Sequence, residues 1–522
     1  LNDICEIKNY EVMTTQSITF RNVSFSFEAM SDWLFNGLHL HFPAGWTGIV
    51  GANGAGKTTL VRLAIGELTP QTGTVETISD VQYCQQRTDD IPRGLYELLE
   101  STDAEACRIR GRLGLQNDWP SRWSSLSHGE RKRSQIAVAL WREPSVLAVD
   151  EPTNHLDNDA RKMLKQALEE FKGIGLLISH DRELLDGLCR QCVFIDPPGA
   201  IVRPGNYTEA AAQAKIEIQS VKRERKDLKK EFVRIKLVAD RRRDKAACAD
   251  RKRSKKRLDP KDSDGRDRID RARVSGKDAV AGKLLRQMEG RVRQVEERLQ
   301  EVEVAKEYRL GIWMEGECSK RNTLFFCPEA QIPLGKDRYL SHPDLVMKPS
   351  DRIALTGPNG AGKSTLIRRI INNLDLPPSR LVYVPQEIDR QTSLAVMDQL
   401  KTLSHEEMGR LLTVVSRLGS RPERLLESRE PSPGEVRKLL LAFGIVKRPH
   451  LIIMDEPTNH MDLPSIECLE NALADCPCGL LLVSHDLHFL QSLAEIRWDI
   501  KMNDTGEYIM KQRLFEQANV NY

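Results

Sequence analysis

Thr47-Gly48-Ile49-Val50-Gly51-Ala52-Asn53-Gly54-Ala55-Gly56-Lys57-Thr58-Thr59-Leu60-Val61-Arg62-Leu63-Ala64 is the stretch from which the fold can be read. A short apolar strand runs into a glycine-rich octet, and a helical pattern follows at once. Glycines let successive backbone N–H groups curl around an anion, and the helix N-terminus adds the positive end of its dipole. In that context Lys57 reaches the outer phosphates of a nucleoside triphosphate and Thr58 offers its hydroxyl to Mg²⁺. The candidate nucleotide contacts are Gly51, Asn53, Gly54, Ala55, Gly56, Lys57, Thr58 and Thr59.

The same series recurs. After Arg352-Ile353-Ala354-Leu355-Thr356 come Gly357, Pro358, Asn359, Gly360, Ala361, Gly362, Lys363, Ser364 and Thr365. One such octet can occur by chance in a long chain; two, each following a strand, point to two nucleotide sites. Downstream, Val146-Leu147-Ala148-Val149-Asp150-Glu151 and Leu451-Ile452-Ile453-Met454-Asp455-Glu456 are apolar runs ending in two carboxylates. Such runs read as buried parallel strands, whose C-terminal ends are where α/β sheets place ligands. Asp150 and Asp455 suit Mg²⁺, and Glu151 and Glu456 suit polarisation of an attacking water. A further strand in each half ends in Ser179-His180-Asp181 or Ser484-His485-Asp486. A lone histidine there would more often be structural, but its recurrence favours catalytic roles for His180 and His485. Ser127-His128-Gly129-Glu130 and Ser432-Pro433-Gly434-Glu435 each open a basic helical run. Alone they read as ordinary helix caps; within this series they read as a second anion-binding element.

Walker A, Ser-x-Gly-Glu signature, Asp-Glu pair, D-loop and switch histidine together resemble the ATP-binding cassette superfamily. Glu-Pro-Thr-Asn-His-Leu/Met-Asp in both halves, with a charged linker between, resembles the ABC-F family, whose members act on ribosomes and some of which protect them from antibiotics. The resemblance implies an α/β fold of two P-loop nucleotide-binding domains in tandem, joined by an antiparallel helical hairpin. It also implies ATP hydrolysis with Mg²⁺, and a monomer whose two cassettes form an intramolecular dimer. Lys57 would then face Ser432 and Gly434, Lys363 would face Ser127 and Gly129, and Glu130 and Glu435 would complete the signatures. Gln86 and Gln386 resemble Mg²⁺ contacts, and Phe27 is a candidate for stacking on adenine. Pro431 stands where the second signature usually has Leu, so the two sites are expected to differ. The expected boundaries are an extension over 1–14, cassettes over 15–208 and 318–505, a linker over 209–317 with its tip near 258–274, and a tail over 506–522.

The linker is read from charge and period. Residues 221–300 hold 29 Lys+Arg against 15 Asp+Glu, while the remainder holds 49 against 60, so the basic character is local. Leu285, Met288, Val292, Val295, Leu299 and Val302 step by three and four, a heptad seam, and Val221, Leu228, Phe232, Ile235 and Ala239 lie near the same spacing. A charge run is usually a solvated helical face. Between two cassettes, a cluster of Arg241, Arg242, Arg243, Lys245, Arg251, Arg253, Lys255, Lys256 and Arg257 favours a phosphate-rich partner. Aromatics are scarce there, which fits structured RNA better than stacked single strands. By resemblance the partner is the ribosome, through rRNA and peptidyl-tRNA near the peptidyl-transferase centre.

Other features narrow the class. No apolar run approaches the length of a bilayer span, and Leu1 to Tyr10, with Asp3 and Glu6, lacks the apolar core of a signal peptide. The scattered cysteines show no matched zinc spacing, so reduced thiols and a cytoplasmic setting are expected. A soluble ATPase subunit of a membrane transporter is the alternative function, disfavoured by the basic linker.

Overall fold

A computed structural model describes residues 17–28, 31–154, 156–252, 279–301, 318–335, 338–386, 388–418, 433–459, 461–503 and 506–515. The chain forms two units, one of Leu1–Ala210 with Tyr308–Tyr522 and one of Ala211–Glu307.

In the first cassette the strands run in the order Val81–Cys84, Val146–Asp150, Ile174–Ile178, Gly45–Gly51, Cys189–Asp196 and Gly199–Pro204. All neighbours are parallel except the last pair. Val146–Asp150 and Ile174–Ile178 are buried at every position, as a sheet covered on both faces requires. A separate antiparallel sheet of Phe35–Phe42, Ile18–Phe25 and Thr72–Glu76 packs its Phe20, Phe35 and Phe42 into the same core as Ile49 and Leu60.

The second cassette repeats the central order with Leu381–Val384, Leu451–Asp455, Gly479–Val483, Arg352–Thr356, Ile496–Met502 and Tyr508–Leu514. Here the antiparallel pair Ala330–Gly335 and Arg338–His342 joins the main sheet, because Leu340 and Ser341 pair in parallel with Tyr508 and Ile509. The strand Tyr508–Leu514 corrects the boundary expected at 505. It pairs with Ile496–Met502 over seven registered residues and so belongs to the cassette rather than to a tail. Its outer four residues are exposed, which is why the sequence pattern did not declare it.

The second unit contains most of the helix Tyr207–Lys252, about 69 Å long at 1.5 Å per residue, and the helix Ala279–Glu301. Ala239, Met288 and Val295 are buried on the seam, and Val221, Leu228, Phe232, Ile235, Leu285, Val292 and Leu299 are half-buried. Arg243 Nη2 lies 3.0 Å from Glu289 Oε1, while Leu299 shares a cavity with Lys222 and Lys229, so the helices run antiparallel. The expected tip lies outside the described residues.

Candidate nucleotide site

Each glycine octet ends in a glycine that caps a helix. Gly56 precedes Lys57–Ala64 with φ 94°, and Gly362 precedes Lys363–Asn372 with φ 89°. Besides the left-handed backbone, space excludes a side chain: a Cβ on Gly56 would stand 2.9 Å from the Phe35 ring, and one on Gly362 2.5 Å from Leu334. Lys57 Nζ donates to the carbonyls of Gly51 (2.9 Å) and Ala52 (3.2 Å). Lys363 Nζ does the same to Gly357 (2.8 Å) and Pro358 (3.1 Å). Burial holds both ammonium groups below the usual lysine range.

At the end of Val146–Asp150, Asp150 Oδ2 accepts from Thr58 Oγ1 (3.0 Å) and from Tyr83 OH (3.3 Å). Ser364 Oγ donates to Asp455 Oδ2 at 2.7 Å in the other half. These hydroxyl and carboxylate oxygens, with Asp455 Oδ1 buried and without a hydrogen bond, are the hard donor set Mg²⁺ prefers.

The next residue in each half is a glutamate in left-handed backbone, Glu151 at φ 44° and Glu456 at φ 51°. Both are almost fully buried. His180 Nε2 stands 3.1 Å from Glu151 Oε1, close but not aligned as a hydrogen bond, so both Glu151 oxygens lack a donor of that kind. Burial pushes the Glu151 carboxyl up to about 8, partly offset by the Lys57 charge. Glu456 is pushed up to about 7 for the same reason. His485 Nε2 is 3.4 Å from Glu456 Oε1 and 3.2 Å from Asn359 Oδ1. Burial and the neighbouring lysine lower both switch imidazoles to about 3. They are therefore neutral near pH 7.

A cavity of about 520 Å³ gathers this chemistry on the first P-loop. Asn53, Gly54, Gly56, Lys57, Thr58, Thr59, Gln86, Asp150, Glu151 and His180 line it, with half-exposed Phe27. Gly434 of the second cassette also lines it, so both halves contribute. A second cross-cassette contact is made by Asp462, whose Oδ2 accepts from the Asn53 backbone N–H at 2.7 Å.

The ABC transporter family matches residues 35–154 and 340–459, one copy in each cassette. The erythromycin resistance ATP-binding protein MsrA of Staphylococcus epidermidis is 28% identical over 475 residues, covering 88% of this chain and 92% of that protein. The ribosome protection protein VmlR of Bacillus subtilis is 26% identical over 502 residues, covering 93% and 87%. A crystal structure of the archaeal ribosome recycling factor aABCE1 with the stalk protein aP1 shares the fold at TM-score 0.59 and 18% identity, covering 94% of this chain and 89% of that one. Twin cassettes with these relatives decide the assignment. Each cassette is that of the ABC transporter family, and the chain is similar along its length to ABC-F proteins.

The twin-cassette chain is an ATPase. Its first signature is a completed helix cap: Ser127 Oγ accepts from the Glu130 N–H (3.3 Å), and Glu130 Oε2 takes the Ser127 N–H and hydroxyl, both at 2.7 Å. Gly129 is buried behind it. In the second signature Ser432 lies outside the described residues, and Gly434 and Glu435 open the helix Pro433–Val446. Gln386 is exposed just beyond the strand Leu381–Val384, and its carbonyl accepts from Arg437. Of the basic residues singled out in the linker, Arg241, Arg242 and Arg243 lie on the long helix, as do Lys245 and Arg251, whose side chains are outside the described set; Arg253, Lys255, Lys256 and Arg257 lie outside the described residues.

Sequence reasoning missed several residues of the site. Lys132 is fully buried, and its Nζ donates to the carbonyls of Gln85 (2.6 Å) and Asp150 (2.9 Å). It ties the signature helix to the strand end that carries Asp150. Tyr83 was equally silent, and Asp462, though it closes the second Glu-Pro-Thr-Asn-His-Met-Asp motif, gave no sign of its contact with Asn53. In the linker, Lys222, Arg225, Lys226 and Lys229 line a cavity of about 570 Å³ with Leu299. Their i, i+3, i+4, i+7 spacing was the available signal.

Proposed function

We propose that this protein is a cytoplasmic, ribosome-associated ATPase that binds the particle with its cassettes closed on ATP. The linker then reaches structured RNA at peptidyl-tRNA near the peptidyl-transferase centre, relieving a stalled state or displacing a bound drug. The observation that carries the reading is the convergence of Lys222, Arg225, Lys226 and Lys229 on one face of an antiparallel helical pair. Four cations at one-turn spacing match a phosphate backbone. The names of the relatives, one an erythromycin resistance protein and one a ribosome protection protein, support the same reading. Among the described residues no helix is long and apolar enough to cross a membrane.

In each site the lysine and the P-loop N–H groups bind the triphosphate. Thr58, Asp150 and Gln86, and in the other half Ser364, Asp455 and Gln386, would hold Mg²⁺, whose charge neutralises the phosphates. Glu151 and Glu456, when ionised, accept the proton of the attacking water; burial makes each the stronger base, and the charges of Lys57 and Lys363 favour the carboxylate form that this task requires. His180 and His485, kept neutral, orient that water and the glutamate without adding charge. Phe27 packs edge-on against Phe25 at 5.1 Å and presents an exposed face to adenine.

The test is sedimentation of the Glu151→Gln/Glu456→Gln chain with ribosomes. It is expected to co-sediment with ATP and to be released without it. A chain that stays in the supernatant with ATP, or that partitions to membranes, overturns the reading.

A further inference from the structure

One guanidinium spans the switch loops of both cassettes. Arg161 lies on the helix Asn158–Glu169, one turn after its cap Asp157. Its Nε donates to the Leu156 carbonyl at 3.2 Å, which fixes the stem. Its Nη1 lies 3.3 Å from Asp181 Oδ2, one residue after His180 of its own cassette. The same Nη1 donates to the main-chain carbonyl of His485, the switch histidine of the other cassette, at 3.2 Å. Arg161 is 20% exposed and Asp181 10% exposed, so water competes weakly for these bonds.

The second cassette has no arginine at the matching place. The position equivalent to Arg161 is Ile466, buried in the apolar core of that cassette with Leu469 and Leu490. The helix cap on that side, Asp462, receives the Asn53 N–H at the first P-loop, as its equivalent Asp157 lies near Lys363 at the second. Carboxylates of the opposite cassette approach both P-loops, Asp462 the first and Asp157 the second, and Arg161 adds a cation at the second site that Ile466 does not supply at the first.

We infer that Arg161 is a positioning residue that couples the two ATP sites, holding His485 in register at the site on the second P-loop and linking it to the switch loop of the first. His485 has two tasks near that site, Nε2 facing Asn359 Oδ1 at 3.2 Å and Glu456 Oε1 at 3.4 Å. Both depend on where its backbone is held. The neighbouring ion pair of Arg182 and Glu470, 2.8 Å, also crosses between cassettes but touches neither switch histidine. It supplies the contrast between gluing the interface and aligning a site.

The experiment is single-turnover hydrolysis of pre-bound ATP by the full chain, which needs no product release. In a Glu151→Gln background only the second site fires, and there Arg161→Ala is expected to slow hydrolysis about tenfold, the scale of one charge-assisted hydrogen bond. Arg161→Lys is expected to recover part of that loss, because an ammonium can still donate to the His485 carbonyl. In a Glu456→Gln background, where only the first site fires, the slowing is expected to be several-fold smaller. Equal slowing in both backgrounds, no slowing in the first, or Lys no better than Ala overturns the proposal. So does the same site-selective pattern in Glu470→Gln, which would mean that loosening the interface is sufficient. If Arg161→Ala does not fold, as judged by thermal melting and ATP stoichiometry, Arg161→Gln against Arg161→Lys carries the same comparison.

Discussion

At the start of the central strand the two cassettes solve one problem with different residues. In the first, Trp46 pairs with Gly175, and its indole N–H caps the helix-end carbonyl of Leu168 at 2.9 Å. In the second, Arg352 pairs with Leu480, and its guanidinium caps Leu473 (3.0 Å), Ala474 (2.9 Å) and Cys476 (2.7 Å). The backbone requirement, a donor for carbonyls left open at a helix C-terminus, is the same in both. What differs is volume: a Cβ on Gly175 would stand 2.4 Å from the Trp46 ring, so the large and small partners are matched within each half. Lys132 and Arg437 repeat the lesson, each donating from the signature helix to carbonyls beside the site. Duplicated halves therefore preserve which groups need partners more strictly than which side chains provide them.

The chemistry should be the least tolerant of exchange. Glu151→Gln and Glu456→Gln, made singly, are each expected to slow single-turnover hydrolysis at their own site by roughly a hundredfold or more. Quantification of one rather than two released phosphates per chain checks this, and loss of both in either variant would make the halves one catalytic unit. Packing comes next. Gly175→Leu is expected to cost about 1–3 kcal/mol by overpacking against Trp46. Adding Trp46→Arg should restore most of it if the halves are interchangeable solutions, as urea denaturation of the two variants would show.

Lys132→Met leaves the buried Asp150 carbonyl and the more accessible Gln85 carbonyl without their donor, and is expected to cost about 1–3 kcal/mol for the one not re-solvated. It also carries a pH signature. Burial lowers the Lys132 ammonium to about 8 from its ordinary 10.5, so the unfolded chain holds the extra proton between these values. This group's contribution is thus fully present above 10.5 and lost as the pH falls through about 8. The stability of wild type relative to Lys132→Met should rise between pH 8 and 10.5, whereas Arg437→Met should show no such rise relative to wild type. Denaturation midpoints across that range decide it. The smallest effect belongs to the linker: Arg243→Gln removes an exposed pair with Glu289, and the melting temperature should stay in place.

The P-loops, the Asp-Glu strand ends and the switch histidines were legible because their information is local. Val146–Asp150 declares itself by an apolar run ending in acid, and Gly51 to Thr58 by glycine spacing beside a helix. The heptad steps at Leu285, Met288, Val292 and Val295 were legible for the same reason, and each of these residues is buried or half-buried on the seam. What stayed hidden was set by chain separation. Arg161 meets the His485 carbonyl across 324 residues, and Asn53 meets Asp462 across 409, and neither partner marks the other in sequence. Lys132 was masked differently, since a basic run after a signature reads as solvated although its middle lysine is wholly buried. Tyr508–Leu514 escaped because only Tyr508 and Met510 turn inward.

The left-handed turn at Glu151 and Glu456 has a bearing on engineering. Non-glycine residues held there are strained by roughly 1–3 kcal/mol each. Glycine or asparagine would relax that strain while removing the proton acceptor. A screen that rewards heat resistance alone would thus drift toward inert chains, gaining ruggedness at the two positions where turnover is decided. Any thermostabilised variant of this protein should be selected with hydrolysis as a simultaneous demand.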